Sequence, residues 1–232
     1  AHEFCDSWPE VLGQRLSARV FNFAQGGSVC KALASQAEKA VNSAEVPRDP
    51  GGLLHPKTLV VVHSCGNDFI YKLVFSLAKV QSDKLDILKP NPGAYESTIL
   101  AQFLHTMHEA GARHFLISGV PVSPWLPALR MAFPRFQKMA EAGKLRDIGV
   151  VPGDSGARVL DVQSAALRAR WADMVRVFSR EHPEATCVFF DEAKVLGDLR
   201  EAFGVEVFDN SMWDFTKIHP NIFGHTQIAA QA

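Results

Sequence analysis

What most constrains the fold of this chain is an alternation of two hydrophobic periods. Three short apolar runs, Thr58-Leu59-Val60-Val61-Val62, His114-Phe115-Leu116-Ile117 and Cys187-Val188-Phe189-Phe190, have the length and residue types of buried strands. Each follows a segment whose apolar residues recur at helical spacing. Val29, Leu33, Ala37, Ala40 and Val41 precede the first run; Ile99, Leu100, Phe103, Leu104 and Met107 precede the second; Leu167, Trp171, Met174, Val175 and Phe178 precede the third. A helix that feeds a strand, repeated, is the pattern of a parallel sheet covered by helices. Gly111 and Pro183 end the second and third stripes, the glycine as a left-handed cap. The Pro/Gly-rich stretch from Pro47 to Pro56 reads as a loop, and Ile222 to Ala230 as a last helix. Between Pro121 and Leu160 the pattern breaks into five prolines and an apolar set of irregular spacing, which predicts a loop-rich excursion. No repeat of 20 to 50 residues and no low-complexity tract is present, so a solenoid is excluded.

A chain of 232 residues that is 47% hydrophobic and 21% charged can bury a full core without staples, and one compact domain over 1–232 is the expectation. Lys and Arg total 24 against 25 Asp and Glu, scattered along the chain, which leaves no electrostatic footprint for a polyanion. Nucleic acid is therefore not an expected partner. The longest apolar runs are strand-sized and far short of the roughly 18 residues of a membrane span, so no integral membrane segment is expected. Four cysteines (Cys5, Cys30, Cys65, Cys187) are too few for a disulfide scaffold, lack zinc-finger spacing and lean toward a reducing compartment. Only His2 to Cys5 precede the first polar motif, fewer than a central strand of about five residues needs, so further residues are expected ahead of it in a full-length protein. Localisation and oligomeric state are left open by the sequence.

Four segments far apart in the chain hold the polar residues of an acyl-transfer site: Phe4-Cys5-Asp6-Ser7-Trp8, Asn22-Phe23-Ala24-Gln25-Gly26-Gly27, Cys65-Gly66-Asn67-Asp68, and Trp213-Asp214 with His219-Pro220. Each can end a strand or open a helix, and an open parallel sheet gathers such segments at its carboxyl edge. A serine hydroxyl becomes a useful nucleophile when a base within hydrogen-bond reach takes its proton, and histidine suits that role near neutral pH. Ser7 and His219 fill those roles. Backbone N–H groups of Ser7 and Gly27 and the Asn67 amide would stabilise the oxyanion; losing one such donor costs about 100- to 1000-fold in rate.

These blocks, in this order across the whole chain, resemble those of the SGNH/GDSL hydrolase superfamily of esterases, lipases and deacetylases. Phe4-Cys5-Asp6-Ser7 is similar to the Gly-Asp-Ser block, Asn22 to Gly27 to the second block, Gly66-Asn67-Asp68 to the third, and His219-Pro220-Asn221 with Gly224-His225 to the last. Gly111-Ala112-Arg113-His114 and Gly119-Val120-Pro121 are also similar to linking stretches of many members. The resemblance implies a three-layer α/β/α sandwich with a mostly parallel, flavodoxin-like central sheet. It implies hydrolysis of a carboxylic ester, small-molecule or lipid, through an acyl-enzyme on Ser7, with His219 as base and no cofactor.

Two departures bear on that expectation. Cys5 stands where the family has glycine, which adds a side chain beside the nucleophile. The family's acid lies three residues before the histidine, where this chain has Thr216; Asp214, five residues before His219 and in a family-like Trp-Asp pair, is the favoured acid, against Asp209 or a serine–histidine dyad. Two other readings of the same residues are an acyltransferase and a non-catalytic binding domain on the same fold.

Several residues have plainer readings. Ser7 could simply open a helix before Trp8-Pro9. Gly153-Asp154-Ser155-Gly156 repeats the nucleophile motif but has turn composition and no later block at suitable spacing. His105 and His108 with Glu109 lack the order of a zinc protease and show no third ligand in sequence, so they are read as an exposed helix face, and no metal is expected. His63 reads as a packed strand residue and His225 as a seat for the final helix. Cys5 and Cys65 are read as free thiols in preference to a disulfide. Trp125 and Phe133, in the excursion after a strand's carboxyl end, are expected to rim an acyl pocket.

Overall fold

The computed structural model describes residues 7–63, 68–69, 90–119, 123–213 and 222–232. The chain is mixed α/β, with a parallel three-stranded sheet among the described residues and helices on both faces. The strands β1 (Leu59–Val62), β2 (His114–Ser118) and β3 (Thr186–Phe190) lie in the order β1-β2-β3. Val60 pairs with Phe115 and Val62 with Ile117; on the other side of β2, Phe115 pairs with Cys187 and Ser118 with Phe190.

Eight α-helices are described: α1 (Trp8–Arg15), α2 (Leu33–Asn42), α3 (Ala94–Glu109), α4 (Phe133–Glu141), α5 (Gly156–Glu181), α6 (Glu192–Phe203), α7 (Val205–Ser211) and α8 (Ile222–Ala229). Between consecutive parallel strands run α3 and α5, and α2 packs beside α3 to extend that layer. On the other face α1 packs on α8, and α8 on α6. The three-layer α/β/α arrangement expected from the sequence is therefore the one observed, on a small sheet.

Alternation along the strands decides what each layer covers, because successive side chains point to opposite faces. Phe115 meets Phe178 of α5 edge-on with ring centroids 5.3 Å apart. Its register partner Val60, and Ile117 with its own partner Val62, are buried on the same face. Ser118 and Phe190, paired across β2 and β3, face the other way, where Phe190 lies 5.3 Å from the Trp8 ring of α1. Trp8 is fully buried. It seats the first helix over the end of the sheet.

Helix boundaries follow the sequence where turn chemistry is strong. Gly111 has φ 108, and a Cβ there would stand 2.7 Å from Leu53 Cβ, so the connection from α3 to β2 requires glycine. Ser155 opens α5 by accepting the Arg158 N–H at 3.2 Å, which accounts for the second Gly-Asp-Ser as a cap. The excursion between Pro121 and Leu160 differs from expectation. It is built of short helices: a 3-10 helix over Pro127–Ala132, then α4, a further 3-10 turn over Arg146–Ile148, and the start of α5. Prolines 127 and 134 sit at the first turns of two of these helices, where a missing N–H is harmless. No helix among the described residues is long and apolar enough to cross a membrane.

Candidate active site

The carboxyl ends of the three strands converge on one region. His63 follows the last residue of β1, Ser118 ends β2, and Asp191-Glu192 follow β3. Above them lies the start of α1, with the Trp8 ring 5.7 Å from the His63 ring. This is the edge where open parallel sheets carry their ligands.

Ser7 stands in extended backbone (φ −67, ψ 159) immediately before α1. Its neighbour Glu10 engages it twice: the Glu10 carboxylate accepts the Ser7 backbone N–H at 2.7 Å and the Ser7 hydroxyl at 3.0 Å. The other Glu10 oxygen accepts the Asn22 side-chain amide at 2.8 Å. Asn22 in turn accepts the Ala24 N–H at 2.9 Å and so shapes the loop that leads to Gly27, which adopts a left-handed φ of 75. One carboxylate thus joins the first motif to the second. Burial opposes the charge on Glu10, but the Ser7 N–H, the Asn22 amide, the Ser7 hydroxyl and nearby His225 outweigh it and hold its carboxyl below the ordinary range.

The remaining motifs are tied in by the same kind of contact. The Trp8 N–H donates to His225 Nδ1 at 3.2 Å, which fastens the last block to the first. The buried Asp68 accepts the Cys30 N–H at 2.8 Å and fastens the third block to the chain just after the second. Cys30, Asp68 and Glu96 are all buried, and one potential ligand atom from each lies within 4.8 Å of the others. Beside the second motif an open groove of about 290 Å³ is lined by Arg19, Phe21, Asn22 and Phe23, among others.

Of the residues singled out from the sequence, Ser7 stands directly before α1 and Gly27 in the loop that follows Asn22, while Asn67, Asp214 and His219 lie outside the described residues, as do Cys5 and Cys65. Trp213, next to Asp214, is buried against Phe208 with ring centroids 5.4 Å apart. Asp209 is held in a two-pronged pair by Arg130, at 2.5 and 2.8 Å. Trp125 and Phe133 are partly buried against the core. The Trp125 ring lies under the Arg200 guanidinium at 4.8 Å and fits against Gly197, where a Cβ would come within 2.9 Å of the indole nitrogen.

Beneath Trp8 is a polar cluster that the sequence did not reveal. His63 Nε2 lies 3.0 Å from Glu192 Oε2, and the Ser118 hydroxyl donates to the same oxygen at 2.6 Å. Glu192 and Ser118 are buried. Burial lowers the His63 pKa, but the Glu192 carboxylate more than compensates and raises it; burial likewise raises that of Glu192, and His63, the Ser118 hydroxyl and His225 together pull it below the ordinary range. Cys30 and Cys187 are free thiols, and burial pushes Cys187 up to about 12, so it stays protonated and unreactive at neutral pH.

Fold and edge together define an α/β chain with a serine immediately before its first helix, tied through Glu10 to Asn22 and through the Trp8 N–H to His225. No protein-family model matches the chain, and no curated protein matches it.

Proposed function

We propose that this chain is a serine ester hydrolase of the SGNH/GDSL type, an esterase or lipase, that acts on carboxylic esters through an acyl-enzyme on Ser7. The observation that carries the reading is the fastening of the motifs: Glu10 links Ser7 to Asn22, Trp8 links to His225, and Cys30 links to Asp68. Each of these contacts ties a motif segment to a part of the chain distant in sequence, as a shared pocket requires.

In this mechanism the Ser7 hydroxyl turns from Glu10 to His219, which takes its proton as the oxygen attacks the ester carbonyl. The backbone N–H groups of Ser7 and Gly27 and the Asn67 amide receive the developing oxyanion. His219 then protonates the leaving alcohol, and water enters to release the acid by the reverse sequence. Asp214 orients the imidazole; the bidentate Arg130 pair on Asp209 supports Asp214 over that alternative. Trp125 and Phe133 would rim the acyl pocket. No cofactor enters the reaction, and an alcohol in place of water would make the same chemistry an acyl transfer.

A second reading is favoured by one contact. The Ser7 hydroxyl is already donated to Glu10, which suits a structural serine in a binding domain. Hydrolysis of nitrophenyl esters of graded acyl length separates the two. The proposal predicts turnover that falls at least about 1000-fold in Ser7→Ala; turnover unchanged by that substitution, or none in the parent, refutes it. A preference for long chains would point to a lipophilic rim and a preference for acetate to deacetylation.

A further inference from the structure

At the opposite, amino edge of the sheet, the end of α3 meets the end of α5, just before the two helices feed β2 and β3. There the fold brings together three histidines and two glutamates that are separated in sequence: His105 and His108 from α3, and Glu181, His182 and Glu184 from the end of α5 and the turn after it. His108 Nε2 lies 2.6 Å from Glu184 Oε1, and His182 Nδ1 lies 3.9 Å from the same oxygen.

We propose that His108 Nε2, His182 Nδ1 and Glu184 Oε1 form a site for a divalent transition metal ion, best suited to Zn²⁺, with water as the fourth ligand. Zinc bound tetrahedrally to nitrogen and oxygen donors at about 2.0–2.1 Å sets neighbouring donor atoms about 3.3 Å apart. The separations of 2.6 and 3.9 Å bracket that value, and a donor atom from each of the three residues lies within 4.8 Å of the others. The Glu184 side chain, which sits closest, is half exposed and able to adjust, while those of His108 and His182 are mostly covered. Imidazole with a single carboxylate selects zinc or a neighbouring transition ion over calcium or magnesium, which favour oxygen donors throughout.

The surroundings supply what a metal site requires beyond its ligands. His182 Nε2 lies 3.1 Å from His105 Nδ1, a hydrogen bond that, with the proton on His182 Nε2, leaves the His182 Nδ1 lone pair free for a metal. His105 Nε2 faces Glu181 at 3.7 Å, so the chain of partners ends on a carboxylate, as the outer shell of zinc-binding histidines commonly does. The buried Phe178 ring forms the floor, with ring centroids 4.7 Å from His182 and 5.9 Å from His108. Edge-on against His108 and tilted against His182, this aromatic floor limits both imidazole planes before any ion arrives. His108, which has no partner ligands in its own segment, acquires His182 and Glu184 through the packing of α3 on α5.

Because the cluster is at the amino edge and the serine at the carboxyl edge, the ion's role is to cross-link two helix ends, and the inference stands whether or not Ser7 is catalytic. The test is titration of the chelator-treated, untagged chain with Zn²⁺ in competition with a chromophoric chelator, alongside thermal melting. The expected result is one ion per chain and a melting temperature that rises with zinc. Glu184→Gln and His182→Ala should each weaken binding at least about 10-fold, and His105→Gln about 10-fold through the outer shell. Glu184→Gln changes a half-exposed side chain and leaves folding intact. Absence of saturable one-to-one binding in the parent, or undiminished affinity in both Glu184→Gln and His182→Ala, would overturn the assignment.

Discussion

Glu10 carries more of the local structure than any other side chain near Ser7, because it holds the serine's backbone N–H, the serine's hydroxyl and the Asn22 amide at once. Ser7-Trp8-Pro9-Glu10 has the serine-to-glutamate spacing of a capping box, so the pairing is legible in sequence. Glu10→Ala should destabilise the chain by about 1 kcal/mol in urea denaturation, and Glu10→Gln, whose amide oxygen can still accept, should recover most of that loss. The His63–Glu192 pair makes a prediction in pH. The pKa of His63 is raised above 6.5, so its contribution is complete below 6.5 and is lost as pH rises through the raised value. The pKa of Glu192 is lowered below 4.5, so its contribution is complete above 4.5 and is lost as pH falls through the lowered value. The two overlap between 4.5 and 6.5, and the deficit in melting temperature of His63→Gln relative to the parent should be largest in that window and shrink in alkaline buffer. A deficit that grows with alkalinity would contradict the assigned charges.

At the scale of the elements, what could be read from the sequence were those with one clean period. The runs of β1, β2 and β3 appear within a residue of where their pattern puts them, and the apolar stripes from Ile99 and from Leu167 lie inside α3 and α5, which begin earlier, at Ala94 and Gly156. Gly111 is the joint between α3 and β2, and Gly111→Ala should cost about 2 kcal/mol in chemical denaturation, since alanine must take a left-handed φ with its methyl against Leu53. The region from Pro121 to Leu160 folds into short helices although its prolines count as interruptions in sequence, because 127 and 134 lie in first helical turns. α6 escaped notice for a related reason. Its buried residues Ala193, Leu196 and Leu199 have helical spacing, but Gly197 interrupts them, and only the folded chain shows that the glycine makes room for the Trp125 indole.

Over the whole molecule, the sequence exposes motifs and hides the contacts that join them. Ser7, Gly27 and the order of the four blocks could be read directly, because short polar motifs beside glycines are a local signal. His63, Ser118 and Glu192 could not, since each is ordinary in its own segment and acquires a partner only when β1, β2 and β3 align in parallel. The three histidines at the far edge illustrate the same limit, because His182 and Glu184 reach His108 only through the packing of α3 on α5. The central claim is that Ser7 is a nucleophile, and the most direct measurement is labelling of the intact chain with a fluorophosphonate followed by peptide mass mapping. The account predicts one adduct, on the peptide that contains Ser7, and none in Ser7→Ala. Labelling at another residue, or a parent that never labels, would contradict it.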